Sequence, residues 1–166
     1  DVNAEFLSKN NYEIIFKHHP RYNRHDCPDI DIEYDFVSFE SKKPLSDLLN
    51  SVSLHMTLHS SSAFDAATIA IPTIFVDMLE EISPNDMFLK QFEYPCKELV
   101  IKDYKDLKKI LIKINNNEAY SNHCDDVYKW SKDFYHDFDE TVFQDFLLDQ
   151  ISKYKHQNGD ELHQNK

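Results

Sequence analysis

Glycine is almost missing from this sequence. The single one stands at position 159, close to the end of 166 residues. That absence excludes GxGxxG and the P-loop, both of which need glycine for close backbone approach to phosphate. Cysteine is scarce too: Cys27, Cys96 and Cys124 are odd in number and form no CxxC pair. Reduced thiols in a cytoplasmic protein are the simple reading. No apolar stretch approaches ~18 residues, so no membrane span is expected. Positive charge is short, with 18 Lys and Arg against 30 Asp and Glu and a net charge of −12. That balance argues against nonspecific nucleic-acid binding and against a polybasic grip on anionic lipid. A small anionic ligand stays open, because a local site can be positive on an acidic protein. There is no signal-peptide pattern and no initial Met. The opening DVNAEFLSKN reads as the middle of a larger protein.

What is present is a core-forming composition, 41% apolar with 12 Phe. One domain over residues 1–155 and a disordered polar tail over 156–166 are expected. Residues 2–10 read as a short helix. Tyr12 to Lys17 and Asp35 to Phe39 read as strands, with a polar loop between them. Pro44 to Asn50 reads as a helix, Leu54 to Leu58 as a strand, Ser62 to Ile69 as a helix and Thr73 to Asp77 as a strand. Ser83-Pro84 opens a short helix, and Glu98 to Ile101 reads as the last strand. Leu107, Ile110, Leu111 and Ile114 recur at helical spacing, and Asn115-Asn116-Asn117 ends that helix. Val127, Trp130 and Phe134 mark a second late helix. Val142, Phe143, Phe146, Leu147 and Ile151 mark a third. The stripe Val127, Trp130, Phe134, Phe138 reads as core, and the acidic run Asp133 to Glu140 as a solvated face. Alternating strands and helices predict an α/β fold: a Rossmann-like parallel sheet, buried on both faces by helices.

The most informative segment is HMTLHSSSAFDAATIAIPTIFVDM, His55 to Met78. Ser60, Ser61 and Ser62 fall where a strand ends and a helix begins, the corner where α/β sheets bind phosphate. Without glycine, a cradle there must use hydroxyls and unpaired amides. Asp65 stands three residues after Ser62 in a pattern like a capping box, and a plain N-cap worth ~1 kcal/mol explains the corner about as well. His19-Pro20-Arg21 follows another strand end, where proline forces an extended turn and His and Arg suit phosphate oxygens. The two corners are expected on one sheet edge. His55 and His59 share a strand face; His59 is the ligand-facing candidate, and His55 reads as a core histidine bonded to backbone. His18, His19, His25 and Cys27 cluster without any metal-site spacing, so no metal is expected. No cysteine stands at a strand-to-helix corner, and GxSxG is absent.

Together, His19-Pro20 and Ser60-Ser61-Ser62 resemble the His-Pro and Ser-Ser motifs in the C-terminal half of GT-B glycosyltransferases. The nearest likeness is to bacterial capsule and surface-polysaccharide enzymes of the sialyl- and polysialyltransferase kind. HSSSAFDAATIAIPTIFVD and the late YKWSKDFY carry the rest, over roughly residues 12–150. Two departures stand out: Ala70 where the family has Gly before Ile-Pro, and Asp65 where it has Glu. The resemblance implies the donor-binding half of a glycosyltransferase. His19 would contact the donor phosphate, and Ser60–Ser62 would hold it. Asp65 would orient the ribose or cap the helix, and Ser38 to Glu40 would meet the base. No cofactor is implied beyond a CMP-, CDP- or UDP-linked sugar donor as substrate. The implied partners are a glycan acceptor and an N-terminal half carrying the catalytic base. The implied location is cytoplasmic, with peripheral contact at the inner membrane as an option. Teichoic-acid glycerophosphate transferases and UDP-amino-sugar epimerases share related patterns. A non-catalytic nucleotide-binding or interaction module is the alternative of another class.

Overall fold

The computed structural model describes residues 3–18, 34–58, 60–77, 92–135 and 139–159. In chain order the elements are α1 (Ala4–Lys9), β1 (Ile14–Lys17), β2 (Val37–Glu40), α2 (Leu45–Leu49), β3 (His55–Thr57), α3 (Ser62–Thr68) and β4 (Thr73–Val76). A 3-10 turn (Lys97–Leu99) then leads into β5 (Val100–Ile101), α4 (Tyr104–Ile114), α5 (Asn117–Ser131) and α6 (Glu140–Gly159). The helix expected from Ser83-Pro84 lies outside the described residues. The chain divides into two units, Asp1–Phe134 and Tyr135–Lys166.

The first unit is α/β, with small parallel sheets and helices on both sides. The single sheet expected from the sequence is two sheets among the described residues. β1 pairs with β2, and β3, β4 and β5 form the other in that order, every pairing parallel. Burial follows from this split. Only β4, flanked on both edges, is buried through most of its length; β1, β2 and β3 are intermediate or exposed at every position. Apolar runs in the sequence therefore overstated how deeply the outer strands lie, because an edge strand has one neighbour rather than two. The expected strand Glu98 to Ile101 also shortens to a 3-10 turn and two strand residues.

The core gathers around Ile74 and Phe75 of β4. Ala63, Phe64 and Ala67 of α3 join it, as do Ile110, Leu111 and Ile114 of α4 and Val127 and Trp130 of α5. Val127 and Trp130 are core as their spacing predicts. Phe134 lies beyond the helix end and is 41% exposed; Phe138 lies outside the described residues. Asn116 does more than break a helix. Its side chain accepts the N–H groups of Glu118 and Ala119 at 3.0 and 3.2 Å and so starts α5. Helix α6 runs to Gly159, through part of the stretch expected as tail.

The shortage of glycine is felt at helix ends. Two helices close with paired bonds to a residue in the left-handed region. Tyr12 and Asn11 donate back to Leu7 and Ser8 at the end of α1, and Ile71 and Ala70 donate to Ala66 and Ala67 at the end of α3. At these two helix ends the residues holding positive φ are Asn11 at 55° and Ala70 at 60°. Asparagine tolerates that conformation, whereas alanine places its Cβ against the following carbonyl at a cost of roughly 1–2 kcal/mol. Ala70 occupies the very position where the resemblance leads one to expect glycine. Ala70→Gly should therefore raise stability by about 1 kcal/mol, net of the added freedom of the unfolded chain. A urea midpoint unchanged or lowered by that substitution would contradict the strained helix end.

Candidate functional site

The serine corner leaves the carboxyl end of β3 and enters α3. Helix α3 begins one residue earlier than the Ser62–Asp65 pattern suggests. Ser61 is the N-cap, and its side chain makes no capping bond. Ser60 acts in its place: its hydroxyl accepts the N–H of Ser62 at 3.2 Å. The carbonyls of Ser60 and Ser61 take the N–H groups of Ala63 and Phe64 at 3.1 and 2.9 Å. Three amides of the corner therefore already have protein partners. The capping box does not form, because Ser62 is inside the helix and its hydroxyl turns elsewhere. Asp65, in the first turn, is exposed.

Ser62 turns toward His55. Its Oγ lies 3.2 Å from Nε2 of that imidazole, and the other ring nitrogen, Nδ1, lies 3.1 Å from Oγ1 of Thr73. The parallel register sets His55 directly beside Thr73, which is why a strand residue and a neighbour 18 positions later share a ring. The histidine thus bridges two hydroxyls rather than a backbone group as its sequence context suggests. Burial pushes its pKa down from 6.5 to about 4, so the ring is neutral at pH 7. A neutral imidazole donates from one nitrogen and accepts at the other, a match for two hydroxyls. Thr73 is itself held: its N–H donates to the Tyr94 hydroxyl at 3.0 Å, and that hydroxyl donates to the Thr73 carbonyl at 2.8 Å.

Asp77 stands at the carboxyl end of β4, two residues past Phe75, which pairs with Thr57. Its N–H donates to the Ile101 carbonyl at 2.6 Å, which fixes it against β5. Its Oδ1 is buried and has no hydrogen-bond partner among the described residues. A buried acceptor left without a donor costs on the order of 1–3 kcal/mol. His55, Thr73 and Asp77 were not singled out from the sequence as ligand groups, since only strand register brings them to the corner.

The remaining expected site residues fall in three places. His19, Pro20, Arg21 and His59 lie outside the described residues. Ser38 sits within β2 and its Oγ lies 3.5 Å from the Ile14 carbonyl across the β1–β2 pair. Glu40 ends β2, and its carboxylate accepts the N–H groups of Lys42 and Lys43 at 2.8 and 3.1 Å. Those two bonds lower its pKa below the usual carboxylate value. Since β1 and β3 belong to different sheets among the described residues, the expected shared edge for the two corners is not drawn by strand pairing.

The described residues hold no group of three or more His, Cys, Asp or Glu placed to ligate a metal. Burial pushes the Cys96 thiol up to about 12, which is far from a nucleophile's range. An open depression of about 450 Å³ is lined by Ile112, Lys113, Asn116, Glu118, Ala119 and Asn122, at the α4–α5 turn. None of its lining residues belongs to the serine corner. No described helix is long and apolar enough to cross a membrane. No family model, no curated protein and no solved structure matches this chain.

Proposed function

We propose that this chain binds a nucleotide-linked sugar at the carboxyl ends of β3 and β4, as the donor half of a glycosyltransferase with a Rossmann-like, GT-B type architecture. One arrangement carries the reading. The exposed Ser61, whose side chain is not used in capping, follows β3, and Asp77, with a buried oxygen that has no donor among the described residues, follows the adjacent parallel strand β4. The first suits a phosphate oxygen, and the second suits a ligand hydroxyl such as that of a ribose. The resemblance at His19-Pro20 and Ser60–Ser62 supplies the reaction class. In that reaction the sugar passes to a glycan acceptor and the nucleotide leaves with the bonding pair. His19, Arg21 and the serine hydroxyls stabilise the charge that grows on the leaving phosphate. The base that takes the acceptor proton belongs to the other half of the enzyme.

The hydroxyls are not equivalent in this reading. Ser60 and Ser62 are tied to the protein, so Ser61 is the contact to remove. Calorimetry with CMP, CDP and UDP should find one that binds. Ser61→Ala should weaken it by about tenfold, the size of one hydrogen bond to a charged group, with an unchanged melting temperature. A second reading, favoured by the internal bonds of Ser60 and Ser62, is an interaction module whose serines only shape the start of α3. Absence of binding by all three nucleotides, or an unaltered affinity in Ser61→Ala, would decide for it.

A further inference from the structure

Thr73 is 1% exposed, and its hydroxyl has one partner among the described residues, Nδ1 of His55 at 3.1 Å. A threonine hydroxyl carries a single hydrogen, and a buried hydrogen left without an acceptor is costly. A neutral ring offers one N–H and one bare nitrogen. With the N–H at Nδ1, the Thr73 oxygen would accept it and the Thr73 hydrogen would have nowhere to go. With Nδ1 bare, Thr73 donates to it and both groups are satisfied. The second arrangement puts the ring proton on Nε2. Tyr94 keeps Thr73 in place, since its hydroxyl bonds both the N–H and the carbonyl of that residue at 3.0 and 2.8 Å.

The direction of bonding then passes to the serine corner. Nε2–H donates to Ser62 Oγ at 3.2 Å, so Ser62 is tied by its oxygen and keeps its own hydrogen. That hydrogen has no acceptor among the described residues, and Ser62 is part-exposed. In the reverse order Ser62 would spend its hydrogen on Nε2 and present an oxygen alone. The order of bonds from Thr73 through His55 therefore decides whether Ser62 meets a ligand as donor or as acceptor. A phosphate oxygen takes donors, and its charge strengthens each bond. The nucleotide reading above, on which this step rests, puts a phosphate at this corner.

We infer that His55 is a positioning residue for phosphate binding: Thr73 fixes its proton on Nε2, and the ring so holds Ser62 as a hydrogen-bond donor toward a phosphate oxygen of the nucleotide. Long-range proton–nitrogen NMR on the full chain at pH 7 locates the ring proton, and the signals missing from His55→Gln identify the ring. The proton should sit on Nε2 in about nine molecules of ten. Calorimetry then uses whichever of CMP, CDP and UDP binds. Ser62→Ala should weaken that binding about tenfold, and His55→Leu by nearly as much. The double variant should lose no more than Ser62→Ala alone, because His55 acts through Ser62. His55→Gln presents an amide N–H near the place of Nε2 and should stay within about twofold of the wild type. Thermal melts confirm that each variant is folded at the assay temperature. A ring protonated on Nδ1 overturns the inference whatever the nucleotides do. So does full affinity in Ser62→Ala, a pair of losses that add in the double variant, or a His55→Gln as weak as His55→Leu. Binding of none of the three nucleotides, with the proton on Nε2, overturns the nucleotide reading itself and takes the inference with it.

Discussion

Replacing Trp130 by alanine should remove about 3–5 kcal/mol of folding stability. Trp130 is the only tryptophan and is 6% exposed. Its ring stacks on Phe64 at 4.7 Å between centroids and meets the edges of Tyr94 and Phe134 at 5.3 and 5.4 Å. Its Nε1–H donates to the Phe92 carbonyl at 2.6 Å, so a buried polar atom is satisfied as well as a large apolar surface. Alanine would leave a cavity at the meeting point of α3, α5 and the chain before β5. A loss of that size is a large part of the 5–15 kcal/mol that holds an ordinary domain together. Trp130→Phe keeps much of the ring packing and gives up the N–H bond, so its cost should be clearly smaller. Urea denaturation followed by circular dichroism separates the two variants. Equal midpoints for Trp130→Ala and the wild type would show that the aromatic cluster does not hold α3 in place. The consequence reaches function, because Phe64 lies on the helix that begins at the serine corner. A shift of α3 moves Ser61 with it.

Acid should weaken the fold through His55. The ring is held neutral by burial, with its folded pKa near 4 against 6.5 in a solvated chain. Between those values the unfolded chain binds a proton that the folded chain refuses. The contribution of His55 is therefore intact above about pH 6.5, falls as pH drops toward 4, and stays level below that. The steepest part of the fall is close to a tenfold change in the folding equilibrium per pH unit. Protonation also breaks the pattern of bonds, since a charged ring has two donors and needs both Ser62 and Thr73 as acceptors. His55→Gln cannot titrate. Its stability curve should lack the component between pH 6.5 and 4, while the carboxylate titrations at lower pH remain in both proteins. Parallel curves for wild type and variant over that window would refute a buried neutral histidine at this place. The same titration bears on ligand binding, because Ser62 holds the start of α3 through this ring.

Much of the secondary structure is legible along the chain. Helical spacing at Leu107, Ile110, Leu111 and Ile114 finds α4, and the Asn115-Asn116-Asn117 break finds its end because a short polar side chain competes with the helix for backbone bonds. Strands at Thr73 to Val76 and His55 to Thr57 sit within the segments that apolar, β-branched runs mark. The Ser60–Ser62 corner falls between a strand and a helix as its residues suggest. These features depend on residues within a few positions of one another.

What the sequence by itself determined, then, is the order of elements, the α/β class, the near absence of glycine and the polar corner after β3. Tertiary structure alone decided which strands meet, and so that the described strands form two sheets and that β4 is central. Register alone set His55 beside Thr73 and brought Asp77 to the end of the strand next to the serines. Packing alone drew Ser62 inward and left Ser61 exposed, a distinction invisible in three identical residues. The physical reason is range. Propensity and periodicity act between near neighbours, whereas register and burial are fixed by contacts between segments far apart in the chain.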